Sequence, residues 1–350
     1  MTWPVGDMPV LRISPHEITP GTAAIPAEAP GEVLVEVAYL GICGTDVELL
    51  NGTSFFIEQG LSEYPLIFGH EWTGIVRAVS EGVSSVVPGD AVVGQTLVTC
   101  GACGPCQAGF RSACDDHQEV GLAGRQGAAA RYIAMPATAL TKLPEGTSLR
   151  DAVLIEPGVT AVNAVLTTGI RFDDRVAVIG TGALGLLALA VALTVTRHVD
   201  VIGTNHDGLA LAREMGASGC LAPDEVGDNA YTVVIEASGH PDSIAMLGTM
   251  LKPGGRAALV GVVNRGTPDF VPAFITMKGI ALYGIFHGLD HYGRMAELIA
   301  TPGFPTEQLI ERVLPWQQAM EAFTLLAEKR RTRPKLLLDL RSMAAEGQSV

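Results

Sequence analysis

Apolar and polar positions alternate over residues 32–39, where Val33, Val35, Val37 and Tyr39 are interleaved with Glu32, Leu34, Glu36 and Ala38. A period of two marks a strand with one buried face. The texture returns at 74–79 and 91–93, around the turn Pro88-Gly89-Asp90, and predicts a β-rich unit with long loops over the first part of the chain. After Glu156-Pro157 the pattern changes. Short apolar runs at 176–179, 199–202, 233–235, 257–260 and 280–283 alternate with helical segments such as 209–215, the mark of a parallel sheet flanked by helices. A helix over 317–329 and an apolar strand over 336–340 are predicted near the end. No internal repeat or low-complexity segment interrupts the pattern.

The run 176–196 carries no charge and is long enough for a bilayer span, yet it contains Gly180, Thr181, Gly182 and Gly185. A strand, a glycine turn and a buried helix account for it without a membrane. Strand 176–179 leads directly into Gly180-Thr181-Gly182-Ala183-Leu184-Gly185. In such a context the first glycine permits the turn, the second admits a pyrophosphate, and the third lets helix and strand pack. The turn therefore predicts a Rossmann-type dinucleotide site. An acid at the end of the second strand would select NAD, but that end reads Gly203-Thr204-Asn205-His206. Asp200 opens the strand and should miss the ribose; Asp207 serves equally well as a helix cap. An uncharged rim leaves room for a 2′-phosphate, with His206 as its partner, so NAD(P) is expected with the balance towards NADP.

At 350 residues the chain exceeds what a single core usually supports, and 48% hydrophobic against 17% charged residues excludes wholesale disorder. A formal charge of −14 disfavours nucleic acid and anionic membrane surfaces. Residues 1–14 lack the features of a secretion signal, so a cytoplasmic location is expected. Of six cysteines, Cys100, Cys103, Cys106 and Cys114 crowd one glycine- and proline-rich loop. In a reducing compartment this spacing points to a closed four-thiolate zinc site rather than disulfides. Cys220, standing alone, reads as a buried thiol.

Further weak signals fall in a set order: Cys43 in Gly41-Ile42-Cys43-Gly44-Thr45-Asp46, His70-Glu71 after Phe68-Gly69, the cysteine loop, Glu156-Pro157, then the glycine turn. In this order the sequence resembles the zinc-containing medium-chain dehydrogenases over nearly its whole length, closest to their sorbitol and polyol branch. The resemblance implies an α/β protein: a GroES-like β-rich catalytic domain over 1–157, completed by 291–350, and a Rossmann doubly wound parallel-sheet domain over 158–290. It also implies a second, catalytic zinc on Cys43 and His70 with carboxylate help from Glu71 or Glu156, the two being left unranked. Thr45 matches the family's proton-passing hydroxyl. Where many relatives continue that relay with a histidine, this chain has Glu48, which could accept a proton. Thr160 matches the position packed on the nicotinamide.

Three functions follow from these features. The first is an NAD(P)-dependent dehydrogenase of a polyol, sugar or cyclitol hydroxyl; the second is an NADPH-dependent ketone or aldehyde reductase using the same residues. A non-catalytic, zinc-stabilised dinucleotide-binding protein is the third, and the joint presence of Cys43, His70 and Glu156 argues against it. The expected partners are a small polar alcohol or carbonyl compound and further copies of the chain in a dimer or tetramer, joined along the apolar run 279–286. Phe55, Phe56, Trp72, Phe286, His287 and His291 are candidates for pocket walls, although each is as readily a core or surface residue.

Overall fold

The computed structural model describes residues 2–262, 270–328 and 332–343. Strand Glu32–Gly41 is the spine of a seven-stranded sheet. It pairs antiparallel with Glu71–Val79, which in turn pairs with Ala91–Gly94. The indole of Trp72 lies so close over Gly94 that no Cβ fits there. That places Trp72 in the core and removes it from the candidate pocket walls.

On the other side of the spine the chain ends return. Leu337–Asp339 pairs antiparallel with Tyr39–Gly41, and Ile310–Pro315 runs parallel to Lys335–Asp339. Leu336, Leu337 and Leu338 are fully buried, so the last strand seals the core of the first sheet. The helix expected over 317–329 is found at Ala319–Ala327; Lys329 lies outside the described residues.

The second sheet has six parallel strands. Their spatial order is Gly219–Leu221, Val199–Ile202, Val176–Ile179, Tyr231–Glu236, Leu251–Leu259 and Ala281–Gly284. The order reverses beside Val176–Ile179, where a crevice for ligands opens in sheets of this kind. The uncharged run becomes that strand, the glycine turn and helix Ala183–Leu193. At 11 residues the helix is about 16 Å long. Among the described residues no helix is long and apolar enough to cross a membrane.

Helix Ile155–Thr168 joins the two sheets, most of its 14 residues buried. Glu156 is in its first turn rather than in a loop. Ala281–Gly284, within the expected run 279–286, is the edge strand of the second sheet.

Candidate active site

Cys43 ends the approach to helix Gly44–Asn51, and Asp46 in the first turn accepts the Cys43 N–H at 2.9 Å. This bond fixes the thiol at the end of the spine strand. His70 and Glu71 arrive at the start of the neighbouring strand, and the register pairs Glu71 with Gly41. Ligand atoms of Cys43, His70 and Glu71 all lie within 4.8 Å of one another. His70 and Glu71 are buried. Asp46 Oδ1 faces His70 Nδ1 at 3.7 Å, and both atoms lack a hydrogen-bond partner. Unsatisfied buried polar atoms are costly, and a cation held by the thiolate, the other ring nitrogen and the carboxylate would draw them together. Sulfur, nitrogen and oxygen donors in this number suit zinc with one position left open.

Glu156 stands outside this cluster. Its Oε1 accepts from the Thr96 hydroxyl and from His287 Nε2 at 3.3 Å. Burial works to raise its pKa, but His287, His70 and Thr96 prevail and hold the carboxyl at about 2. Tyr292 Oη accepts the Thr96 N–H at 3.3 Å. Thr160 is buried one turn beyond Glu156.

Thr45 Oγ1 lies 3.9 Å from Cys43 Sγ, whereas Glu48 is exposed on the same helix and outside the cluster. Phe55 and Phe286 face solvent at 59% and 65% exposure. Of the proposed wall residues, His287 hydrogen-bonds a candidate catalytic side chain, Glu156.

Sequence reasoning did not identify Lys335. It is buried and ion-paired to Glu71, and its Nζ also donates to Ile42 O at 3.2 Å. Burial lowers its pKa, but Glu71 and Cys43 outweigh that effect and keep the ammonium charged. A lysine opening an apolar strand was the available signal; it reads equally well as a solvated strand end. Thr96 and Tyr292, in unremarkable sequence, carried none.

The cysteine loop is gathered separately. Sulfurs of Cys100, Cys103, Cys106 and Cys114 lie within 4.8 Å of one another, with Cys114 at 3.5 Å from Cys100 and 3.8 Å from Cys103. Zinc–sulfur bonds of about 2.3 Å give roughly this spacing in a tetrahedron. The N–H groups of Ala102 and Cys103 point at Cys100 Sγ and help to hold its pKa at about 7. Burial and the neighbouring sulfurs push Cys106 up to about 12, so four thiolates need a cation between them.

A cleft of about 590 Å³ runs along the crevice of the second sheet. Gly180, at φ +114°, leaves a hypothetical Cβ only 3.0 Å from the Ser238 N, and Gly185 packs against the Gly180 carbonyl with no room for a side chain. Gly182 caps the helix of Ala183 and Leu184 without a side-chain bond and has open space before it. Free N–H groups at this helix start suit a diphosphate. Gly203, Thr204 and Asn205 line the cleft. The structure corrects one detail here. Asn205, not Asp207, caps the next helix, through Oδ1 to the Gly208 N at 2.7 Å. His206, expected to meet a 2′-phosphate, is outside the cleft lining, while Asp207 and Arg333 are in it. His206 opens the helix with its side chain exposed.

Residues 29–145 match the alcohol dehydrogenase GroES-like domain and residues 183–301 the zinc-binding dehydrogenase family. The chain is 30% identical over 319 residues to sorbitol dehydrogenase of Bacillus subtilis strain 168, covering 88% of this chain and 90% of the relative. It is 32% identical over 315 residues to an L-threonine 3-dehydrogenase of Bacillus velezensis, covering 86% and 90%. Two solved structures, each 26% identical, cover 95% of this chain and are themselves 99% covered. They are an alcohol dehydrogenase of E. coli CFT073 complexed with NADH, at a TM-score of 0.87, and a zinc-binding dehydrogenase of Sinorhizobium meliloti 1021 bound to NADP, at 0.85.

Proposed function

The chain belongs to the zinc-containing medium-chain dehydrogenases, and from that membership we propose that it oxidises the secondary hydroxyl of a polyol, sugar, cyclitol or similarly polar alcohol. The observation that carries the proposal is a half-buried thiol gathered with a buried imidazole and carboxylate at Cys43, His70 and Glu71, with ionised Glu156 beside them. A purely apolar alcohol would leave that carboxylate without a substrate partner. Sorbitol and L-threonine, named in the relatives, both set a secondary hydroxyl beside another polar group.

In this reading Cys43, His70 and Glu71 hold the catalytic zinc, and the four-cysteine loop holds a second zinc that supports the fold. The catalytic zinc supplies Lewis acidity, which makes the substrate hydroxyl acidic enough to lose its proton near neutral pH. Thr45 passes that proton outward beside Cys43. Glu156 accepts a hydrogen bond from the substrate side. Thr160 would back the nicotinamide, and Gly180, Gly182, Ala183, Leu184 and Gly185 would seat the diphosphate of a coenzyme that would supply the hydride acceptor. We assign the catalytic unit to 1–157 with 291–350 and the coenzyme unit to 158–290, in a cytoplasmic enzyme. NADP(H) should be used at least as well as NAD(H), because no acid stands at Gly203 and Arg333 adds a cation to the cleft.

A panel of polyols, cyclitols and β-hydroxy amino acids, each assayed with both coenzymes, tests the substrate class. Faster turnover of plain alkyl alcohols than of every polar compound would refute it. The exposed residues Met277 and Phe286 flank edge strand Ala281–Gly284, which supports a homo-oligomer. Sedimentation as a stable 36.6 kDa species at micromolar concentration would exclude that assembly.

A further inference from the structure

Glu156 is tethered through a single oxygen. Oε1 takes both the Thr96 hydroxyl and His287 Nε2. The two donors are themselves held in place. Thr96 is fixed by its N–H to Tyr292 Oη and has its hydroxyl 3.3 Å from the His70 carbonyl. His287 is anchored through its own carbonyl, which accepts Asn163 Nδ2 at 2.6 Å, and the next residue, Gly288, packs on the Val159 backbone with no space for a Cβ. Side chains of His287 and Glu156 are 12% and 8% exposed, so water does little to compete for these bonds.

A carboxylate next to a divalent cation binds it unless other contacts hold the side chain out of reach. Cys43, His70 and Glu71 would supply three donors to a cation, and turnover would require the fourth position to stay open. Glu156 as a fourth ligand would close it. We propose that His287 is a positioning residue that, with Thr96, holds Glu156 away from the metal and so keeps the substrate position vacant. The inference rests on the reading of Cys43, His70 and Glu71 as ligands. It differs from a general structural role in its sign: loss of the His287 contact should bind the metal more tightly while impairing access to it.

The test exchanges cobalt into the labile site and titrates it with imidazole, a small ligand for the open position, followed by the cobalt visible spectrum. Zinc release to a chelator is timed in parallel. In His287→Phe, imidazole affinity should fall at least about tenfold and zinc release should slow by a similar factor, the usual size of effects from groups behind the ligands. His287→Gln, which returns an amide N–H near the place of Nε2, should restore both. So should His287→Phe combined with Glu156→Gln, because the amide is a poor ligand. Should His287→Phe fail to fold, Thr96→Val removes the other donor to Oε1 and should shift both readouts the same way. Wild-type imidazole affinity in the variants, or faster zinc release, would overturn the proposal. Wild-type protein whose cobalt spectrum ignores imidazole would refute the metal-centre reading itself, and His287 would lose its role with it.

Discussion

The ammonium of Lys335 and the carboxylate of Glu71 form an ion pair in the interior, with side chains 4% and 2% exposed. Removing one partner of such a pair leaves an uncompensated buried charge, at a cost of about 3–5 kcal/mol. Lys335→Met should therefore destabilise the zinc-depleted protein, in which no metal offsets the Glu71 charge, by about that much in urea unfolding. Lys335→Met combined with Glu71→Leu should recover most of the loss while abolishing turnover. A single variant as stable as wild type would show that the pair contributes nothing.

Cys43→Ser and His70→Ala should each lower turnover roughly 10³-fold or more, the equivalent of several kcal/mol of transition-state stabilisation. Coenzyme affinity, followed by fluorescence titration, should change little because the cleft lies on the other sheet. Cys103→Ser should act in the opposite order, losing one zinc and melting earlier before catalysis per folded molecule suffers. Unchanged melting with lost activity would reverse the two assignments.

Coenzyme choice depends on a missing charge. Gly203→Asp should raise the NAD(H) to NADP(H) ratio of kcat/KM at least about tenfold, or ~1.4 kcal/mol, by repelling a 2′-phosphate. A Cβ at 203 falls 3.0 Å from Thr181 Cγ2, so a small loss of stability should accompany the shift. Strong wild-type preference for NAD(H) would identify Asp207 as the acid that binds the ribose.

Away from the active site, Asp174 links the start of the second sheet to the loop before it. Burial raises its pKa, but the Thr232 hydroxyl, the Arg171 N–H and the Arg256 guanidinium at 2.7 Å outweigh this and hold it below the usual carboxylate range. A depressed folded-state pKa contributes stability above the unfolded value of about 3.9, and that contribution disappears as pH falls through the folded value. Asp174→Asn should cost about 2 kcal/mol at pH 7, and its urea midpoint should begin to approach that of wild type only as pH falls below about 4. A gap that stayed constant down to pH 3 would rule out this linkage.

What could be anticipated from the chain divides by the range of the interaction. The alternation over 32–39 and the glycine turn at 180–185 announce a strand and a phosphate-binding turn because both patterns act between near neighbours. The cysteine loop is legible for the same reason. Lys335 is not, since only the pairing of Leu337–Asp339 with Tyr39–Gly41 carries it to Glu71. Asn205 and Asp207 compete for one helix start two residues apart, and backbone geometry decides for Asn205. The separation of Glu71 from Glu156 likewise depends on Thr96 and His287, whose types alone give no hint of a shared oxygen.

The return of the last strand to the first sheet also has a consequence for biosynthesis. A ribosome releases residues 32–41 well before residues 335–339, so the sheet that carries Cys43, His70 and Glu71 stays open at its spine throughout that interval. The coenzyme unit, whose strands all lie between Val176 and Gly284, has every strand available before then. Every strand of the second sheet is thus synthesised before the first sheet can close, an order unlike simple N-terminal-first completion of domains. Until Lys335 emerges, Glu71 lacks the ammonium that pairs with it, and Cys43, His70 and Glu71 sit on a sheet still unpaired along one side of its spine.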